Sequence, residues 1–258
     1  MYAQNDLRIV SVSPAVTEII YALNAQKHLV GITNNCDFPE ACTRLPKIGT
    51  FLKPVSEKIL ILDPTLIIGS GNQSAPQIKL FNRLGIETII FPSPKNFTDI
   101  YTMILKIGKL TKRSAKAHSL VSSMKKDINK LRKHRENVQD PPSVLFVVWA
   151  KPLICAGQKT FINSLIVAAG AKNIVADSLN SYPRISLESI IKNNPDFIIC
   201  EKEHLKILSE YPVLKDLPII QNPSRQICDI NPDLLLRPGP RFILGLNMLK
   251  NKISKGLR

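Results

Sequence analysis

The sequence predicts an α/β protein built as two doubly wound lobes joined by a single long backbone helix. Three observations carry this expectation. Short apolar strand segments alternate with helical segments in both halves of the chain, the pattern of parallel sheets with helices on both faces. The stretch SEKILILDPTLII, from Ser56, is echoed by LESIIKNNPDFII, from Leu187, at an offset of 131 residues in a chain of 258. In each copy a glutamate (Glu57, Glu188) stands seven residues before a proline (Pro64, Pro195), and an apolar strand follows. An offset of half the chain marks two copies of a fold, not a short-period solenoid. Between the copies, Leu110, Ala117, Val121, Met124, Ile128 and Leu131 recur as one helical stripe. Residues 106–135 contain no proline, and Gly108 is their only glycine. About thirty helical residues span roughly 45 Å, enough for a strut between lobes. An ordinary surface helix or a helical hairpin broken near Gly108 is the alternative. The expected organisation is an N-terminal lobe over 1–105, a connecting helix over 106–140 and a C-terminal lobe over 141–258.

The elements follow in order. Residues 8–12 (RIVSV) read as a strand. Ser13-Pro14 opens a helix, since proline at the first helical position lacks only an N–H that has no intrahelical partner anyway. Residues 29–32 form a second strand, and a proline- and glycine-punctuated loop follows. Residues 55–62 are a helix with Ser56 as its expected cap, ended by Pro64, and 65–68 are a strand. GSGNQS makes a turn. Residues 76–84 are a helix stopped by Gly85, and 86–91 are a strand. After the central helix and Pro141-Pro142 the pattern restarts. Strands are expected at 143–149, 173–176, 196–200 and 226–230. Helices are expected at 161–169, stopped by Gly170, at 186–192, partly over 205–217, and at 240–253.

Composition narrows the classes. The chain is 44% hydrophobic and 21% charged, the balance of a soluble globular protein. Its apolar runs fall short of the roughly twenty residues of a membrane span. The opening MYAQND has neither the basic nor the apolar region of a secretory signal. The chain is therefore expected to be cytoplasmic, or extracytoplasmic with a signal removed. The formal charge is +15, and residues 106–135 hold eleven Lys or Arg against one acid, Asp127. A run of this kind suits a solvated helix face, or an anionic partner such as nucleic acid or a membrane surface. Aromatics are not interleaved with it and no nucleic-acid motif accompanies it, so no nucleic acid is expected. Five cysteines (Cys36, Cys42, Cys155, Cys200, Cys228) leave at least one without a partner in the chain, and none forms CxxC. Cys200 is expected in a buried strand.

Enzyme signatures are missing. No GxGxxG follows the first strand, there is no GxxxxGK[ST], and no Ser-His-Asp arrangement is legible. His28, His118, His134 and His204 are scattered and expected at the surface, which also argues against a receptor for a bare divalent metal. The expectation is a protein that is not an enzyme and has no catalytic residues, no resident cofactor and no metal site.

At this point the sequence resembles a known family. RIVSVSPAVTEIIYAL, CDFPEA at 36–41 followed by LPKIGTF, LDPTLII, YPRISLESIIKNNPDFII and LLLRPGPRFILGL are similar, in order and spacing, to the substrate-binding proteins of ABC importers for cobalamin, haem and iron-siderophores. The cobalamin branch is the most similar, and the likeness runs from Arg8 to about Lys250. The resemblance implies a monomer of class III periplasmic-binding-protein-like fold. It implies a small-molecule metal-chelate ligand held in the cleft between the lobes, a periplasmic or extracytoplasmic membrane-associated location if an N-terminal signal is missing from this chain, and delivery to the membrane subunits of an ABC transporter. Carried onto this chain, it assigns transporter docking to Glu57 and Glu188, one acid per lobe; helix-terminus electrostatics is the structural alternative. Its ligand contacts would be Asn35, Phe51 and Ser70, with the turn 70–73, in the first lobe. In the second they would be Trp149, Tyr182 and the loop 233–237 with Asp233 and Arg237. Aromatic faces suit a flat corrin ring, and a guanidinium suits a ligand carboxylate or phosphate. Core packing is the alternative for Phe51 and Trp149. Asn35 and Ser70 stand where the cobalamin branch carries aromatics, which keeps haem and ferric siderophores in view. A basic-helix module binding nucleic acid or a membrane surface is the reading from another class.

Overall fold

The first strand, β1 (Ile9–Ser11), is buried along its whole length, as the apolar RIVSV run requires. The computed structural model describes residues 7–71, 75–133, 140–175 and 180–256. After β1 come α1 (Pro14–Ala22), β2 (Leu29–Ile32), α2 (Ser56–Ile61), β3 (Leu66–Ser70), α3 (Ala75–Arg83) and β4 (Glu87–Phe91). The four strands form one parallel sheet in the order β2-β1-β3-β4. Pro14 is the first residue of α1, as the Ser-Pro pair predicts. Ser56 does not cap α2. It is the first helical residue, the cap is Val55, and no side chain closes that end. Gly85, at φ +78°, stops α3 in the left-handed region that glycine adopts without a Cβ clash. Val10, Val12, Ile48, Ile59, Ile67 and Phe81 pack into one core.

The expected single helix over 106–135 is instead two: α4 (Phe97–Leu110) and α5 (Ser114–Lys133). The break is a Schellman motif. The Arg113 N–H donates to the Gly108 carbonyl at 2.6 Å and the Lys112 N–H to Lys109 at 3.2 Å, while Lys112 takes φ +56°. The Thr111 hydroxyl folds back onto the Ile107 carbonyl at 2.8 Å. Gly108 then lets the helices close on each other, since a Cβ there would lie 2.4 Å from the Ala117 Cβ. The break thus falls four residues past Gly108, at Lys112. The predicted stripe survives on α5, where Ala117, Val121, Met124 and Ile128 are buried. Lys106, Lys109, Lys112, Arg113 and Lys116 are exposed. Residues 134–139 of the expected helix lie outside the described residues. Because a left-handed lysine costs about 1–2 kcal/mol that glycine avoids, partly offset by glycine's larger unfolded-state entropy, Lys112→Gly is expected to stabilise the chain. A rise of about 0.5–1 kcal/mol in urea unfolding is the expected size, and a loss of stability would show that Lys112 does not hold this conformation.

The second half restates the first. Its elements are β5 (Ser143–Ala150), β6 (Leu153–Cys155), α6 (Phe161–Ala168), β7 (Lys172–Asn173), α7 (Leu187–Asn193), β8 (Phe197–Ile199), α8 (Lys202–Ser209), α9 (Pro218–Gln221), β9 (Gln226–Ile227), α10 (Asp233–Leu236) and α11 (Phe242–Gly256). β7, β8 and β9 run parallel in the order β7-β5-β8-β9, matching the first sheet strand for strand. One addition breaks the likeness: β6 pairs antiparallel with the outer end of β5. The residue after each repeat proline does the same job in both halves. Thr65 Oγ1 accepts the Arg8 N–H at 3.0 Å, and Asp196 Oδ2 accepts the Ser143 N–H and hydroxyl, each at 2.7 Å. Ser186 caps α7 by accepting the Ser189 N–H. The strand expected over 173–176 ends at Asn173, and Ala176 lies outside the described residues.

Packing divides the chain into two units. The first comprises Met1–Pro94, Thr98–Ser123 and Arg237–Pro240, and the second Lys95–Phe97, Met124–Leu236 and Arg241–Arg258. The second unit has its own core, around Leu145, Ile190, Ile198 and Leu214. It also holds an aromatic stack in which Phe242, fully buried, lies parallel to Phe97 at 4.7 Å and edge-on to Phe161 at 6.0 Å.

Candidate ligand-binding and docking sites

In an open parallel sheet, ligands bind beyond the carboxyl ends of the strands, where the strand order reverses. In the first unit that point lies between β1 and β3. Ser13, just past β1, and Ser70, the last residue of β3, meet there with their hydroxyl oxygens 3.1 Å apart. Ser70 is buried, so its hydroxyl joins the two strand ends beneath the surface. Asn35 is exposed just beyond β2. Its Oδ1 accepts the Phe51 N–H at 2.8 Å, which fixes the Phe51 loop. Phe51 is half-buried, and its ring tip lies 3.3 Å from where a Cβ on Gly71 would stand. The structure thus brings Asn35, Phe51 and Ser70 to one end of one sheet. Asn72 and Gln73, in the expected turn 70–73, lie outside the described residues.

Arg237 belongs to this same unit. Its guanidinium grips Asp37 through both nitrogens, at 2.6 and 3.2 Å, and reaches Glu18 Oε1 at 3.3 Å and the Asn35 carbonyl at 3.3 Å. The Glu18 side chain is only 2% exposed and that of Asp37 58%. A two-point grip on a carboxylate is the strong form of this contact. Sequence reasoning expected Arg237 to await an anionic ligand group, but here it is engaged by two carboxylates of its own chain. Glu18 and Asp37 went unnoticed because they lie 219 and 200 residues away in sequence.

In the second unit Trp149 lies within β5, not at its end, and is 53% exposed, which rules out core packing. Its indole N–H donates to the Lys151 carbonyl at 2.8 Å. The ring stands edge-on to His204 at 5.2 Å. His204 corrects an expectation, being buried rather than at the surface, and its Nδ1 has no hydrogen-bond partner among the described residues. His28 is half-buried, His118 is exposed, and His134 lies outside the described residues. Tyr182 is 48% exposed. Its loop is pinned on both sides, as the Ser181 carbonyl accepts from the Gly157 N–H at 2.8 Å and the Pro183 carbonyl from the Cys155 N–H at 3.1 Å. Asp233 opens α10, a helix absent from the sequence reading, and its N–H donates to Asn231 Oδ1 at 2.9 Å. At the carboxyl ends of β5, β8 and β9 lies a small pocket of about 20 Å³, lined among others by Phe146, Cys200, His204 and Leu235. An open groove of about 520 Å³ runs past Lys151, Arg184, Ser186, Leu187 and Tyr211. Among the described residues, no cluster of three His, Cys, Asp or Glu is placed to hold a metal.

Glu57 and Glu188 are both exposed and both stand second in their helices, α2 and α7. The Glu188 carboxyl is held below the usual range by its own backbone N–H and then by the Ser186 hydroxyl, so it is ionised at neutral pH. The likeness extends further. Leu60 and Ile191, each three residues on and so one turn along the same helix face, are 38% and 41% exposed. Each unit therefore presents an acid with an open apolar neighbour at the same place in its repeat.

Comparison with known proteins follows the same line. The periplasmic binding protein family matches over residues 9–223. An uncharacterized ABC transporter substrate-binding lipoprotein of Bacillus subtilis (strain 168), YvrC, is 30% identical over 95% of this chain and 79% of its own. A vitamin B12-binding protein of Pectobacterium carotovorum is 25% identical over 96% of this chain and 88% of its own. Among solved structures, the apo periplasmic haem-binding protein RhuT of Roseiflexus sp. RS-1 superposes with a TM-score of 0.88 at 26% identity, covering 98% of this chain and all of that one.

Proposed function

Because the chain belongs to the periplasmic binding protein family, we propose that it is an extracytoplasmic receptor whose cargo is cobalamin or a related corrinoid. Its fold is that of the class III periplasmic binding proteins. The family and the structural neighbours are binding proteins, not enzymes, and what they bind is transported rather than kept as a cofactor. The observation that carries the corrinoid reading is the likeness to vitamin B12-binding proteins over almost the whole chain. The exposed aromatics Trp149 and Tyr182 support it, since flat macrocycles are held by aromatic faces. Asn35, Phe51 and Arg237 are the candidate contacts of the first unit, with Ser70 bracing the strand ends beneath them, and Trp149, Tyr182 and Asp233 are those of the second. A ligand carboxylate or phosphate would reach Arg237 by displacing Asp37, the more exposed of its two partners.

Haem is the second reading, favoured by the match to a haem-binding protein. Calorimetric titration with cyanocobalamin, haemin and a ferric siderophore separates them, with Trp149 fluorescence as a parallel signal. Saturable one-to-one binding of cyanocobalamin, micromolar or tighter, is expected. Heat with haemin alone would replace the corrinoid reading by haem, and heat with none of the three would sink both.

Family members work with the membrane components of ABC transporters, and for this chain Glu57 and Glu188 are the proposed docking acids. Their matched exposure and matched apolar neighbours support the assignment, because helix-terminus electrostatics alone does not require an exposed Leu60 and Ile191. Exposed charges of this kind steer and orient an encounter. Replacing either glutamate by alanine is expected to lower transport about tenfold, roughly 1.4 kcal/mol, with ligand affinity unchanged. Both readouts come from one preparation, through uptake into vesicles carrying the transporter and calorimetry on the soluble chain. Collapse of ligand affinity instead would move these residues from docking to binding.

A further inference from the structure

Cys200 and Cys228 follow neighbouring parallel strands, β8 and β9. The register sets Ile199 against Ile227, and the Cys200 N–H continues the ladder to the Ile227 carbonyl at 3.3 Å, so the two cysteines face each other one step further on. Their sulfurs are 3.5 Å apart. Opposed residues on adjacent strands sit about 4.8 Å apart, inside the roughly 4.4–6.8 Å range that a disulfide spans. The other thiols are placed differently. Cys42 donates to the Cys36 carbonyl rather than meeting its sulfur, the Cys36 sulfur lies against Thr17 and Thr33, and Cys155 is buried. The pair is also asymmetric in access, for Cys200 is 8% exposed while Cys228 is half-buried.

We propose that Cys200 and Cys228 form a dithiol–disulfide redox site in which Cys228 reacts first and Cys200 resolves. The electrostatics agree with the geometry. The contact between the two sulfurs lowers the Cys228 pKa despite its partial burial, with Lys202 helping. Cys200, bonded to Cys228 and the more deeply buried of the two, is raised. The thiolate is the nucleophile in exchange. The Cys228 thiolate attacks one sulfur of a small-molecule disulfide, forms a mixed disulfide and releases one small thiolate. Cys200 then loses its proton to solvent and attacks Cys228 Sγ, closing the internal bond and releasing the second small thiolate. Two protein thiols are oxidised to one disulfide, and the external disulfide is reduced to two thiols. The bond staples β8 to β9 beside the pocket under His204.

The test treats the purified chain with oxidised glutathione, blocks remaining thiols by alkylation and maps the peptides by mass spectrometry. Wild type is expected to show one Cys200–Cys228 link and three alkylated cysteines. The Cys200→Ser variant should accumulate a glutathione adduct on Cys228, because its resolving thiol is gone. The Cys228→Ser variant should take no adduct on Cys200. Five alkylated cysteines in the treated wild type, or a link between other cysteines, would overturn the site. An adduct forming equally fast on Cys200 in the Cys228→Ser variant would overturn the order of reaction. The wild-type map needs no substitution, so a poorly folded variant leaves the main outcome readable.

Discussion

The Arg237→Met variant is expected to lose about 3–5 kcal/mol of stability, the cost of removing one partner from a buried ion pair. Glu18 carries most of that penalty, since its side chain is 2% exposed. Asp37, at 58%, can turn to water. The same physics predicts a rescue. Adding Glu18→Gln removes the buried negative charge as well, and the double variant is expected to recover most of the loss, because a buried pair contributes little beyond an apolar replacement. Urea unfolding of the two single variants and the double closes the cycle. Were Arg237→Met within about 1 kcal/mol of wild type, well below the cost of breaking a buried ion pair, the Glu18 contact would not hold this unit together. The cycle also bears on ligand binding, because a variant that keeps its fold but loses affinity would separate the two roles open to Arg237.

Phe242→Ala is expected to cost about 4 kcal/mol, within the range for deleting a buried aromatic. Phe242 is fully buried and is the common member of the contacts with Phe97 and Phe161. Truncation would leave a cavity and also remove the ring geometry that adds about 0.5–1.5 kcal/mol per pair. The reading is thermal or urea unfolding, with Phe97→Ala as companion. The two losses should sum to more than the double variant shows, since each truncation destroys the same stack. Simple additivity would mean that the stack contributes no coupling.

Much of the architecture was legible because its signals are local. Buried parallel strands announce themselves as apolar runs, as at 66–68 and 197–199, and Gly85 and Gly170 mark helix ends by the conformation that only glycine enters freely. The division of the central helix was legible only as the alternative break near Gly108, since its left-handed residue is Lys112, which carries no stop signal. β6 and α10 escaped for a related reason, with three and four residues leaving no room for a period to show. The matched positions of Glu57 and Glu188 came from the repeat, a comparison of the chain with itself, and their proposed docking role from the resemblance. Trp149 could not be assigned to core or surface from sequence, because one indole next to Lys151-Pro152 fits either. His204 was misread because KEHLK looks like a charged surface turn, while the fold turns that face of α8 under the indole. The partners of Arg237 were invisible for want of any local signal, since a contact made across two hundred residues leaves no trace in spacing.

The first unit borrows four residues, Arg237–Pro240, from far along the chain. The duplicated halves are consequently not separable modules. A fragment ending at Ser123 would contain the whole of the first sheet and still carry Glu18 without Arg237, and supplying the remainder as a second polypeptide would be a complementation experiment rather than the mixing of two finished domains. The symmetry visible in the strand order stops at this segment, where Arg237 and Gly239 meet Glu18 and Ala15 and make the first half dependent on the synthesis of the last.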